Sequence, residues 1–429
     1  MVSTAVPQKM THLTKLGNGI TLIVTENPVA DLVAARLFFP KAGSRWESPA
    51  QSGLFHLLAA VITKGTEKYT AVEIAEQVES IGASLGASAS NDYMALSLKT
   101  VTKDFQTILD LAAEILRNPT FPADEVELER KITLQNIRSQ LEQPFNVAYK
   151  QLRENMYPQH PYGMSILGTD ETVKDLTPAD LKAAHYQHFR PDNLVISLSG
   201  RINLEQAEAM IDRALGSWEN PSEPLPMPSV PVLPPTGGMW LHEQDSQQAI
   251  VILGYLTGTI ADADFFALKL ISTYLGNGLS SRLFVELREK QGLAYDVSAF
   301  FPTRLSQSQF VTYIGTAPKN TAIALKGLQK EVQRLVDAPL SEAELQVAKN
   351  KLLGQYALGK QTNSQLAQIF GWYESIGLGV NFDNEFKNHI ERITPAEVHA
   401  AARHNFKNPY ISVVGSQDAL SLLEDIELS

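Results

Sequence analysis

The feature that most constrains the fold of this chain is a degenerate internal repeat. The hexapeptide Leu-Thr-Pro-Ala-Asp-Leu at 176–181 returns as Ile-Thr-Pro-Ala-Glu-Val at 393–398, and the apolar runs at 196–200 and 411–415 both end at a glycine. Each copy needs a core of its own, so two similar domains are expected. Strand-type and helix-type runs alternate in both copies. The predicted class is α+β, with two homologous α/β sandwich domains, each a mixed sheet covered by helices.

A proline-rich stretch separates the two copies of the repeat. Seven of the residues from 219 to 238 are proline, too many for a helix or a central strand. Such a stretch is typical of a stiff, partly polyproline linker. The predicted domains therefore span residues 1–218 and 239–429, with 219–238 as the linker.

Composition excludes several classes of function. The chain has 429 residues, a net charge of −11 and no basic stripe, so a nucleic-acid partner is not expected. It has no cysteine, which excludes disulfides and thiolate metal sites. No apolar run approaches the length of a membrane span, and the N-terminus lacks the apolar centre of a secretory signal. A cytoplasmic protein without membrane partners is expected.

The most informative local pattern is Gly-Leu-Phe-His-Leu-Leu-Ala-Ala-Val-Ile-Thr-Lys-Gly-Thr at 53–66. Apolar residues recur in it at i, i+3, i+4 and i+7, which predicts a helix, and the Ser-Pro dipeptide at 48–49 is expected to open it. A second stripe contains His56, Ala59 and Ala60 and carries no fixed charge. We expect this second face to be buried or to line a cleft.

This stretch resembles the active-site entry of the pitrilysin family of zinc peptidases, which includes insulin-degrading enzyme and the mitochondrial processing peptidases. Members carry an H-x-x-E-H motif, in which two histidines bind zinc and the glutamate is the general base, and a later glutamate completes the site. By this resemblance His56 stands at the first ligand position and Ala59 at the position of the base. Ala60 and Asn136 stand at the other two ligand positions. The resemblance implies no cofactor in this chain, and His56 alone also fits a packed or cleft-lining histidine.

A second segment that resembles the same family is Leu-Arg-Glu-Lys-Gln-Gly-Leu-Ala-Tyr at 287–295. A helix is predicted before Gly292 and a strand after it. In the family, an arginine and a tyrosine at this spacing reach the peptide bound at the zinc, which implies that catalytic role for Arg288 and Tyr295. Both side chains donate hydrogen bonds suited to a peptide carbonyl and its oxyanion. The alternatives are a solvated charge for Arg288 and a packing role for Tyr295.

Small and polar residues mark a candidate binding edge at Ser88, Ala89, Ser90 and Asn91. In the family this strand edge pairs with the backbone of the substrate, so the resemblance implies substrate binding by these four residues. A plain hairpin is the alternative.

Two further histidines, His185 and His188, lie one helical turn apart. No carboxylate or third histidine stands at ligand spacing from them. We therefore expect surface histidines rather than a zinc site.

The absence of zinc ligands beside an intact Arg288 and Tyr295 block resembles one subunit type of the small bacterial heterodimeric members. The leading hypothesis is a non-catalytic subunit that forms half of a clamshell with a homologous catalytic subunit. That partner would carry the intact zinc motif and the zinc, and a peptide would be the substrate. One alternative is an inactive homologue that acts as a structural or peptide-binding protein, for which a homodimer is expected. A self-sufficient zinc peptidase, which would hold stoichiometric zinc, is the other.

Overall fold

Strands and helices alternate along the chain in a computed structural model that describes residues 10–424. The described strands are β1 (Met10–Lys15), β2 (Thr21–Glu26), β3 (Leu32–Phe39), β4 (Ser84–Ala89), β5 (Met94–Val101), β6 (Val195–Gly200), β7 (Gly238–Glu243), β8 (Ala249–Leu256), β9 (Ala294–Phe300), β10 (Gln309–Thr316) and β11 (Tyr410–Gly415). The described α-helices are α1 (Leu54–Val61), α2 (Ala71–Ser80), α3 (Phe105–Arg117), α4 (Ala123–Glu142), α5 (Pro144–Met156), α6 (Asp170–Asp175), α7 (Pro178–His188), α8 (Leu204–Leu215), α9 (Phe265–Gly276), α10 (Thr321–Asp337), α11 (Glu342–Leu358), α12 (Asn363–Ser375), α13 (Phe382–Arg392), α14 (Pro395–Asn405) and α15 (Gln417–Ser421).

The strands form two sheets with matching topology. The first has the order β1-β2-β6-β3-β5-β4, and the second has the order β7-β11-β8-β10-β9. In the first sheet β2 and β6 are parallel, as are β7 and β11 in the second, and all other neighbouring strands are antiparallel. Five strands of the first sheet thus have counterparts in the second, and β1 is an additional edge strand. The predicted fold class, with two similar domains of sheet and helices, is confirmed.

One face of the first sheet forms the main core of its unit. Alternate residues of β3, such as Val33, Leu37 and Phe39, are buried against residues of α1, α3, α7 and α8. Burial of a side chain of this size stabilises the fold by roughly 1.5–3 kcal/mol. The period-2 alternation of β3 therefore leaves Ala34, Arg36 and Phe38 on the opposite face.

That opposite face is covered, in each sheet, by a helix from the other half of the sequence. Helix α12 packs across β3 and β6, and a Cβ on its Gly371 would lie 2.4 Å from the Phe38 ring, so this approach requires glycine. In the second sheet, α5 packs across β8 and β11. The described residues consequently form two compact units, each assembled from separate stretches of the sequence. The first unit combines residues 10–135 with Ser165–Pro228 and Ala357–Asp383, and the second combines Asn136–Met164 and Ser229–Tyr356 with residues 384–424.

The compact units differ from the predicted ranges 1–218 and 239–429 at the two exchanged helices. An amphipathic pattern shows which side of a helix is apolar, but it does not show which sheet that side will cover. Between the end of α8 at Leu215 and the start of β7 at Gly238, the chain forms no helix or strand. This agrees with the proline-rich composition of 219–238.

Proline and glycine set several of the element boundaries. Pro144 separates α4 from α5, as a proline within a helical pattern predicts. The predicted opening of the first helix at residues 48–49 is wrong. A 3₁₀ turn forms over Pro49–Gln51, Gly53 takes a left-handed φ of 94°, and the α-helix begins only at Leu54. Among residues 10–424, no helix is long and apolar enough to cross a membrane.

Candidate functional site

The start of α1 is fixed by a buried carboxylate. Glu47 accepts hydrogen bonds from the backbone N–H of Gly53 at 3.0 Å and of Phe55 at 2.8 Å. These two donors belong to the first turn of the helix, where no intrahelical acceptor exists. Burial raises the pKa of Glu47 to about 7, and the two backbone N–H groups oppose this shift. Sequence reasoning missed Glu47, and the only local signal was an acidic residue shortly before a glycine that opens an apolar helix.

The positions expected for zinc ligands lie on α1 and α4. His56 and Ala60 are partly buried on α1, Ala59 beside them is buried, and Asn136 is exposed on α4. Burial lowers the pKa of the His56 imidazole, and the nearby Glu129 carboxylate opposes this effect. The neutral imidazole is therefore the favoured form.

These residues do not fit a zinc site. Zinc takes nitrogen, sulfur or carboxylate ligands, usually four in a tetrahedron, and the two alanines offer none. The Glu129 carboxylate near His56 is paired with the Lys64 ammonium at 3.1 Å. Within residues 10–424, no three His, Asp or Glu side chains gather closely enough to hold a metal ion. No catalytic step can be assigned to a metal on these residues.

The predicted substrate-binding residues lie at the open edge of the first sheet and in the hairpin after it. Among the described strands, β4 pairs only with β5, so its outer backbone groups have no strand partner within residues 10–424. Ser88 is exposed, and Ala89 packs partly against the core. Ser90 Oγ donates to the Tyr93 carbonyl at 3.0 Å, and Asn91 Nδ2 donates to Ser44 Oγ at 2.9 Å. Ser90 and Asn91 therefore hold the hairpin in shape, while β4 itself offers an unpaired edge.

A π-helical segment, Phe284–Glu289, leads into the corresponding edge of the second sheet. Its wide turn closes with the Lys290 N–H donating to the Val285 carbonyl at 3.0 Å. Gly292 then takes a left-handed φ of 64°, and the chain enters β9, an edge strand whose one partner among the strands of residues 10–424 is β10. Single π-turns within helices are frequent at functional sites because they displace the side chains around them.

Arg288 lies near the end of this π-helical segment, and Tyr295 follows seven residues later in β9. The Arg288 side chain is exposed and its guanidinium lies 5.0 Å from the centre of the Phe284 ring. Tyr295, in β9, is 55% exposed. Within residues 10–424, Arg288 has no ion-pair partner. Its guanidinium can thus donate to an external acceptor without breaking an ion pair.

The prediction that His185 and His188 are surface histidines is wrong. The His185 Nε2 lies 2.9 Å from the Leu116 carbonyl, and His188 Nδ1 hydrogen-bonds the Lys41 carbonyl. Burial lowers the pKa of each imidazole to about 4. Helix α7 turns these residues toward the sheet core, where each is satisfied by a backbone carbonyl.

Known protein families match this chain in two successive segments. Residues 21–170 match the family described as Insulinase (Peptidase family M16), and residues 175–352 match the family described as Peptidase M16 inactive domain. An uncharacterized zinc protease of Rickettsia bellii is 26% identical over 419 residues, covering 96% of this chain and 98% of that protein. A second, from Bacillus subtilis, is 26% identical over 396 residues, covering 92% of this chain and 95% of that protein.

Solved structures show the same likeness over nearly the whole chain. The crystal structure of a peptidase M16 inactive domain from Pseudomonas fluorescens has a TM-score of 0.87 and 25% identity, covering 95% of this chain and 98% of that one. A protease from Helicobacter pylori has a TM-score of 0.89 and 22% identity, covering 95% of this chain and all of that one (100%). The resemblance first seen around His56 is confirmed. The chain belongs to the pitrilysin-like M16 family of peptidases and peptidase homologues.

Proposed function

We propose that this chain is the non-catalytic subunit of a two-chain zinc peptidase. A homologous partner with an intact H-x-x-E-H motif would supply the zinc and the general base. This chain would supply Arg288 and Tyr295. The observation that carries the proposal is an exposed arginine without an ion pair, just before the edge strand of the second sheet, and an exposed tyrosine in that strand, in a chain that holds alanine or asparagine at three of its own zinc-site positions.

The role of the two side chains follows from their donors. Hydrolysis of a peptide bond places negative charge on the carbonyl oxygen, and a guanidinium and a phenol both donate hydrogen bonds to that oxygen. An arginine adds a full positive charge that stays on at any physiological pH. Donors of this kind act most strongly when they are held in place before the reaction. The closed π-turn and the pairing of β9 with β10 provide that support.

The test is a mixing experiment with a homologous catalytic subunit, with kcat and KM measured on a fluorogenic peptide. The mixture should cleave faster than the catalytic subunit alone. Arg288→Ala should lower kcat by about 100-fold to 1,000-fold, the effect of removing one oxyanion donor, and Tyr295→Phe should lower it while keeping the ring. Lys290→Ala is the matched control, because it removes an exposed cation that pairs with Glu286.

Two results would contradict this function. The mixture would cleave no faster than the partner alone, or Arg288→Ala would behave like Lys290→Ala. The open edge of β4 favours a second candidate, a peptide-binding protein without a catalytic role, since an extended peptide can add a strand there. In that case the chain alone should bind peptides, and sedimentation should show a stable homodimer that needs no catalytic partner.

A further inference from the structure

Arg36 places a charge on the sheet face that α12 covers, and Lys99, the other basic residue that β3 and β5 place on this face, is exposed. Arg36 lies in the middle of β3, opposite Ser97 of β5 and Ser197 of β6, on the side that α12 covers. Nearby on this face, Phe38 and Val195 belong to a small buried cluster. An arginine in such a position is not accounted for by the packing of the sheet.

The guanidinium of Arg36 is half-buried and incompletely hydrogen-bonded. Its Nε donates to Gln368 Oε1 at 3.1 Å, and Gln368 Nε2 lies 3.4 Å from the Tyr93 hydroxyl. No carboxylate of residues 10–424 forms an ion pair with it. Burial lowers the pKa of Arg36, which shows that the charge is partly removed from water. A guanidinium has five N–H donors, so its outer nitrogens remain available to a ligand.

A cavity of about 390 Å³ adjoins this guanidinium within the first unit. Arg36 forms one wall, and α12 contributes Ser364, Gln365, Gln368, Ile369 and Trp372. Cavities of this size hold small organic ligands. The lining combines one cation and the amides of Gln365 and Gln368 with apolar surface from Ile369 and the Trp372 ring.

We propose that this cavity binds a carboxylate that carries an apolar group. The carboxylate would accept two parallel hydrogen bonds from the outer nitrogens of Arg36, the geometry that guanidinium and carboxylate share. The apolar group would lie against Ile369 and Trp372. A free amino-acid derivative and the carboxyl end of an apolar peptide both have this chemistry. The site is independent of the proposed peptidase function, because it uses neither Arg288 nor Tyr295.

The binding test uses the full chain, with calorimetry as the main measurement and Trp372 fluorescence as a second. The probes are N-acetyl-leucine, its amide, and Ala-Ala-Leu with a free or an amidated carboxyl end. A ligand of this size should bind with a dissociation constant of about 1 mM. Binding of N-acetyl-leucine supports a site for free acids, and binding of the tripeptide acid alone supports a site for peptide ends. Both amides should bind at least about tenfold more weakly, because they lack the charge.

Two variants assign the binding to this cavity. Arg36→Gln removes the cation, and Ser364→Phe fills the cavity from α12. Each should weaken binding of the acid at least about tenfold. Arg201→Gln is the matched control, since it removes an exposed arginine of the same unit that pairs with Asp31. Urea unfolding of each variant checks the fold, and Ser364→Phe keeps the test open if Arg36→Gln does not fold.

Three results would overturn the proposal. Neither acid would show binding at a concentration about ten times the expected dissociation constant. The amides would bind as tightly as the acids. Folded Arg36→Gln or Ser364→Phe would bind the acids as the unchanged chain does.

Discussion

The edge strands β4 and β9 occupy the same place in two sheets of the same strand order, yet their polar side chains differ in use. Beside β4, the side chains of Ser90 and Asn91 are bound within the hairpin, and Glu47 is buried under the first turn of α1. Beside β9, the side chains of Arg288 and Tyr295 are exposed. At the first edge these polar side chains bind other groups of the protein, while at the second edge the two side chains are exposed to solvent.

The difference shows that a repeated fold does not repeat its chemistry. Five strands have the same order in both sheets, so the strand order by itself does not distinguish the two edges. What differs is whether individual polar side chains are bound to other groups of the protein or exposed. Substitutions at the first edge should therefore change stability, whereas substitutions of Arg288 and Tyr295 should change activity in the mixture and leave stability nearly unaltered.

The largest effect is expected where α9 contacts β9. A Cβ on Gly276 would lie 1.9 Å from the Ala299 nitrogen, so Gly276→Ala must push the helix away from the edge strand. We expect a loss of about 3 kcal/mol in the free energy of unfolding, measured by urea denaturation. Gly354→Ala, in α11, is the control, because nothing lies within 4 Å of its added Cβ and alanine favours a helix by up to about 1 kcal/mol. Opposite signs for the two variants are required, and equal losses would show that the contact of α9 with β9 does not limit the fold.

The second prediction concerns the pH dependence that Glu47 gives to the first edge. Its folded pKa of about 7 exceeds its ordinary value of 4.5, so the folded state holds a proton that the unfolded state releases between those pH values. The contribution of Glu47 to stability is complete below pH 4.5 and is lost as pH rises through about 7. As pH rises through this window, the unfolding free energy of the unchanged chain should fall relative to that of Glu47→Gln by up to about 1.4 kcal/mol per pH unit.

The titration of the two histidines in α7 does not disturb this measurement. The pKa values of His185 and His188 are lowered to about 4, so their contribution has the opposite sign and is lost as pH falls below their ordinary value of 6.5. The unchanged chain and Glu47→Gln both contain these histidines, so their effect cancels when the two unfolding free energies are subtracted. A difference that stays constant from pH 4.5 to 7 would mean that Glu47 is ionised in the folded state throughout.

The smallest expected effect comes from returning one ligand to α1. His56 and position 60 are four residues apart on this helix, so they lie on one face, and Ala60→His should create a site with two imidazoles. Zinc at about ten times its dissociation constant would then raise the unfolding free energy by about 1.4 kcal/mol. Ala60→Gln is the control, and the unchanged chain should show no such gain. Equal stabilisation of all three proteins would place the zinc elsewhere.

Sequence reasoning was most successful where one local pattern decides the outcome. The repeated hexapeptides predicted two similar domains, and the proline-rich composition predicted the segment without helix or strand before β7. The strand after Gly292 begins at Ala294, as the Leu-Ala-Tyr block indicated. In each case the determining residues are close together in the sequence, so no tertiary contact is needed to make the prediction.

Sequence reasoning was least successful where contacts between distant segments of the chain determine the structure. The burial of His185 depends on the Leu116 carbonyl, and the environment of Arg36 depends on Gln368. Neither partner is near in sequence. The π-turn at Phe284–Glu289 was also not predicted, because an amphipathic pattern of this length fits an ordinary α-helix equally well.

The exchange of α5 and α12 between the two sheets bears on how the chain is made. During synthesis the first sheet can form once β6 has emerged, but α12, which covers its second face, follows about 160 residues later, or roughly ten to thirty seconds at ordinary rates of translation. Until then Phe38 and its apolar neighbours stay open to water. A fragment cut within the proline-rich segment would keep that exposed face permanently. The first sheet therefore acquires its second cover late in synthesis, from a helix on the far side of the proline-rich segment.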